Sequence, residues 1–190
     1  MNEIIDNIKK VGTTNIALII IALFLRIASI KGTGFSTIGI VKIIDALVSI
    51  VALLSGLIYA MKGYGKISHK YYKTFMLFVM LGAIVSIIIP LAKCITNNSF
   101  TITYILIIIA YIVIFGCYCV LTYKKDLGLQ KSSYMCYITL ALNLLLFINA
   151  IAGGYRINYV YTSIGNLLLS YITCIFVTAK YDDKQNRRRN

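Results

Sequence analysis

The sequence predicts an all-α polytopic membrane protein, a bundle of six transmembrane helices with both termini cytoplasmic. Three observations carry that expectation. Of the 190 residues, 59% are hydrophobic and only 13% charged, which leaves a soluble domain short of polar surface. The apolar residues gather in runs at 14–31, 38–61, 74–95, 100–123, 133–153 and 158–179, each near the roughly 17–25 residues that cross a hydrocarbon core about 30 Å thick. The basic residues are asymmetric. With six spans, the termini and the 62–73 and 124–132 loops share one side and hold most of the Lys and Arg, while the opposite side has Lys31, Lys93 and Arg156. Basic loops stay cytoplasmic, so the net charge of +13 reflects topology and calls for no nucleic acid. Residues 1–180 then form one domain, followed by a polar basic tail at 181–190.

Residues 1–11 place Ile4, Ile5, Ile8 and Val11 at helical spacing, with acidic residues early and Lys9 and Lys10 late. This suits a short interfacial helix. The first run resembles a secretory signal, but Arg26 interrupts it, no small-x-small site follows, and the next span begins after a short turn; an uncleaved span is expected.

The second run carries Lys42 and Asp45 inside its apolar stretch. On insertion scales such a residue costs about 2.5 to 3.5 kcal/mol at the centre of a spanning helix, so it needs a partner, an interface or a wet interior. Arg26 and Asp45 both fall roughly 8 to 10 Å inside the outer boundary at 1.5 Å per residue. Lys42 shares the face of Asp45. An ion cluster of Arg26, Lys42 and Asp45 is therefore predicted. It could be helix glue, or, with Lys31, Lys93 and Arg156, an outward cationic cup for a lipid phosphate or a carboxylate solute. Ala52, Gly56 and Ala60, with Ser49 and Ser55 beside them, predict close helix approach.

The 62–73 loop, KGYGKISHKYYK, is basic and aromatic. Lys62, Lys66, Lys70 and Lys73 are predicted to contact anionic lipid headgroups on the cytoplasmic side, and His69, the only His, reads as a surface residue. The third run has Gly82 and Ser86 at small-residue spacing and an outer kink predicted at Pro90. The fourth carries Tyr104, Tyr111 and Tyr118 as a stripe suited to packing and interhelical hydrogen bonds. The last hairpin places Asn143 and Asn166 at similar depth, where their carboxamides could bond to each other, with Asn149 nearer the surface; together they form a candidate polar intramembrane patch. Ser170, Cys174 and Thr178 extend a weakly polar stripe, and the tail past Lys180 is expected to be mobile.

The five Cys form no CxxC pair, and free buried thiols are expected; Cys117 and Cys119, two apart, point to different helix faces. The only Glu is Glu3, and no HExxH, GxSxG, phosphate-binding glycine loop or paired-Asp arrangement occurs. No enzyme activity, cofactor or metal is predicted. The functional expectation is a non-catalytic integral membrane protein, an accessory, immunity or scaffold-type subunit contacting lipid or another membrane protein. The alternative is a small-solute transporter, channel or substrate-binding membrane subunit with an outward cationic cavity. Convergence of the two polar patches across a wet space would favour the alternative; separately satisfied pairs would favour the first. Abundant Ile, Lys, Asn and Tyr suit an AT-rich bacterial genome, so a multi-pass protein of a bacterial inner membrane is expected.

Overall fold

The computed structural model describes residues 13–31, 33–34, 36–62, 68–96, 101–124, 127–153 and 156–189, with residues 13, 14, 62, 68, 69, 129 and 180–189 described by backbone alone. The chain is all-helical there: α1 Thr13–Ile30, α2 Thr37–Lys62, α3 Ser68–Thr96, α4 Ile102–Tyr123, α5 Leu129–Ala152 and α6 Ile157–Arg189. Five helices are long and apolar enough to cross a membrane, α2 to α6. The first of the six expected spans differs from the other five. The apolar part of α1 is the shorter Asn15–Ile30, about 24 Å at 1.5 Å per residue, against a core of about 30 Å. The interfacial helix predicted at 1–11 and the headgroup contact at Lys66 lie outside the described residues. A second difference concerns the tail, where α6 continues to Arg189. Residues 180–189 contain neither Gly nor Pro, so no residue there breaks the backbone ladder.

Each helix packs beside its neighbours in sequence, and α6 returns to α1, so the six helices close into a ring with lighter contacts from α6 to α2 and α3 across its middle. Short connections force this up-and-down order. Asn158 Nδ2 donates to the Lys31 carbonyl at 2.7 Å, which sets the start of α6 beside the end of α1. Thr33 Oγ1 donates to the Ile30 carbonyl, so two of the carbonyl groups that a helix terminus leaves open are met. The Ser36 hydroxyl accepts from the Gly39 amide at 3.2 Å and caps α2. Gly39 must lack a side chain, because a Cβ there would collide with the Gly34 carbonyl.

The surface is apolar and the interior partly polar. Phe24, Ile27, Leu47, Leu106, Leu145 and Ile148 are exposed, whereas Arg26, Asp45, Ser49, Ser86, Thr139, Asn143 and Thr173 are buried. Water-soluble monomers do not expose apolar faces on this scale; a lipid-facing bundle does. Many hydroxyls are satisfied within their own helix, as buried Thr139, Ser163, Ser170 and Thr173 and exposed Thr178 donate to carbonyls three or four residues back. Ser170 and Thr178 therefore need no partner from another helix.

Away from the Asn158 end, packing is aromatic. Phe176 of α6 stacks edge-on against Tyr59 of α2 at 5.0 Å and Phe75 of α3 at 5.1 Å. Gly56 makes room, since a Cβ there would lie 3.0 Å from Phe176 and 3.1 Å from Phe75. Ala52 and Ala60 are also fully buried. Small residues let these backbones approach where lipid supplies no hydrophobic drive between helices. At the same end the thiols of Cys136 on α5 and Cys174 on α6 lie against each other, and all five cysteines are free. Mild oxidation with copper phenanthroline is expected to link this pair within one chain, seen as a joined peptide by mass spectrometry; folded protein that never yields the link would contradict the α5–α6 packing.

Candidate functional site

Helix geometry brings Arg26 to Asp45. Side chains on a helix lean toward its N-terminus. Arg26, one turn from the C-terminal end of α1, is therefore directed deeper into the bundle, to the level of Asp45. Its guanidinium meets Asp45 Oδ2 at 3.0 Å, with the side chains 0% and 2% exposed. The other terminal nitrogen donates to Asn166 Oδ1 on α6. Ser86 on α3 donates to Asp45 Oδ1 at 3.1 Å, and Asn166 Nδ2 donates to the Tyr111 hydroxyl on α4 at 3.3 Å. One connected network thus joins five helices. Such satisfaction is what a buried ion pair requires, because desolvation costs several kcal/mol per ion, on the order of the attraction gained.

Gly165, one residue before Asn166, completes the fit. A Cβ there would stand 2.8 Å from Arg26 Nε and 3.1 Å from its Cδ, so α6 admits the arginine only where it has no side chain. Arg26 Nε itself is buried without a hydrogen-bond partner among the described residues.

Beside the network, Ser86, Tyr111 and Asn166, with Asn143 and with Ser49 one turn below Asp45, help line a cavity of about 20 Å³, room for about one water molecule. The Ser49 hydroxyl is buried there without a partner among the described residues.

Two expectations are corrected. Lys42 is not part of the ion cluster: its ammonium lies 5.2 Å from the centre of the Tyr159 ring. The lean that sends Arg26 inward sends Lys42 outward, because Lys42 stands near the N-terminal end of its helix. Lys93 lies 4.4 Å from the same ring, and Arg156 and Lys93 each repel Lys42. Nor do Asn143 and Asn166 bond to each other. Asn143 Nδ2 donates to the Thr139 carbonyl of its own helix at 2.9 Å, since Asn166 is already engaged by Arg26 and Tyr111; the two meet only as walls of the small cavity. Asn149 is half-buried near the end of α5, where its carbonyl accepts from Gly153, and lies outside the network. Lys70 and Lys73 are exposed.

Sequence reasoning missed Ser86 and Tyr111 as partners of the ion pair. Depth would have found them: Asp45, Ser86, Tyr111 and Asn166 all lie roughly 12 to 15 Å from the Asn158 end at 1.5 Å per residue. Gly165 carried no signal in one dimension, because its role depends on which residue crosses it. No protein-family model matches this chain, and no curated protein or solved structure matches it.

Proposed function

We propose that this chain is a non-catalytic six-span protein of a bacterial inner membrane, with both termini in the cytoplasm, serving as an accessory, immunity or scaffold-type subunit against lipid or another membrane protein. One observation carries this reading. Arg26, Asp45 and Asn166 at the membrane interior direct their side-chain hydrogen bonds at one another and at Ser86 and Tyr111, and the space left beside them is about 20 Å³. A solute needs a cavity more than tenfold larger, typically about 300 Å³ and up. The network acts as a latch: it holds five helices in register where lipid supplies no hydrophobic drive. The packing of α1, with Arg26 fully buried between α2 and α6, supports counting α1 as the sixth span. The excess of Lys and Arg at the termini and the 62–73 and 124–132 loops supports the orientation.

A second reading, a small-solute transporter, channel or substrate-binding membrane subunit, is favoured by convergence. Arg26, Asp45, Asn143 and Asn166 come together from α1, α2, α5 and α6, and the Ser49 hydroxyl beside them has no hydrogen-bond partner among the described residues. Labelling separates the two. With the five native cysteines replaced, Ser49→Cys in intact cells is expected to stay unreactive toward a membrane-impermeant maleimide. Rapid labelling would mean that the cavity opens to water and would favour transport.

A further inference from the structure

We propose that the small cavity beside the latch is a binding site for one water molecule, which ties Ser49 of α2 to Asn143 of α5. The direct side-chain bonds of the latch join α1, α2, α3, α4 and α6. They do not include α5. Asn143 of that helix is 3% exposed and Ser49 is 1% exposed, and both line the cavity.

Ser49 departs from the pattern of the other buried hydroxyls. Thr139, Ser163, Ser170 and Thr173 donate to carbonyls of their own helices, the partner nearest to hand inside a helix, whereas the Ser49 hydroxyl makes no such bond among the described residues. Its oxygen lies instead toward Gly82 of α3, 3.8 Å from where a Cβ of that residue would stand. Gly82 thereby keeps the space beside the hydroxyl open. On the α5 side, Asn143 gives one N–H to the Thr139 carbonyl, and a carboxamide carries a second N–H and an oxygen with two lone pairs. The hole they share has the size of water: about 20 Å³ exceeds the roughly 10 to 15 Å³ that one molecule needs. Its described lining residues include no Asp, Glu, Lys or Arg, so a neutral ligand suits it better than an ion. Water brings both donors and acceptors, which is what a hydroxyl and a carboxamide require, and Tyr111 and Asn166 stand on the same walls as further partners. A bridging water holds two groups nearly as well as a direct hydrogen bond. Such a water is compatible with either function proposed above.

The test begins with an experimental structure of the full chain in nanodiscs, at a resolution that shows ordered water. One peak is expected within hydrogen-bonding distance of both Ser49 Oγ and the Asn143 carboxamide. A map that resolves waters elsewhere in the protein but none here overturns the proposal, as does a peak bonded to only one of the two. Thermal unfolding in the same nanodiscs gives a second readout. Gly82→Ala places a methyl group in the cavity wall with its nearest listed neighbours, Ser49 Oγ and Val48 Cγ1, at an ordinary 3.8 Å, so it takes the space of the water without a clash. Gly116→Ala, at an exposed position of α4 with nothing within 4 Å of the added carbon, is the control for the gain that Ala gives over Gly in any helix. Gly116→Ala is expected to raise Tm by a few degrees and Gly82→Ala to lower it, because displacing an ordered water with a methyl group leaves two buried polar side chains short of a partner. A rise for Gly82→Ala as large as that for Gly116→Ala would mean that the methyl group filled dry space, and would overturn the proposal. Should Gly82→Ala fail to fold, the map of the native protein decides.

Discussion

Asp45→Asn is expected to destabilise the bundle by about 3 to 5 kcal/mol, the cost of stranding one partner of a buried ion pair, whereas Lys42→Gln should cost about 1 kcal/mol or less, the worth of a partly exposed cation–π contact. Both can be read from the shift of unfolding midpoint in an SDS titration of the detergent-solubilised protein. The asymmetry follows from position. Asp45 is 1% exposed and answers Arg26, which is 0% exposed, while Lys42 is half-buried against Tyr159. Adding Arg26→Gln to Asp45→Asn should recover much of the loss, because it removes the stranded charge. Equal midpoint shifts for Asp45→Asn and Lys42→Gln would refute the assignment of the ion pair.

Gly165→Ala should cost about 1 to 3 kcal/mol, as overpacking a filled interior does. The added methyl carbon would lie 2.8 Å from Arg26 Nε. A long side chain could ordinarily move aside, but this one is anchored at its tip by Asp45 and Asn166, so relief requires breaking a hydrogen bond or parting α1 from α6. The same substitution made on Arg26→Gln/Asp45→Asn, where the shorter neutral side chain leaves room, should cost far less. An unchanged cost in that background would show that Gly165 serves some other contact.

The hydrophobic runs located the helices to within a few residues, because a bilayer imposes length and apolarity on each span and both are written along the chain. Where composition changed gradually, the ends ran on: α3 starts at Ser68 rather than near Thr74, and α6 continues past Lys180 to Arg189. Half of the candidate site was also legible. The short turn after Ile30 makes α1 and α2 neighbours, so the pairing of Arg26 with Asp45 followed from depth alone. Membership of Lys42 did not, because it shares the face of Asp45 but lies nearer the surface, and its side chain leans out of the bundle where that of Arg26 leans in.

Sequence by itself determined the all-helical class, the membrane-type composition and the need of Asp45 for a cation. Only tertiary structure decided that Asn166, Ser86 and Tyr111 would complete the shell, that Asn143 would be left with its own helix, and that Lys42 and Lys93 would share Tyr159. The physical reason lies in ring closure. The contact of α6 with α1 joins residues 140 positions apart, and neither hydrophobic periodicity nor charge spacing along one helix specifies which distant helix will stand opposite.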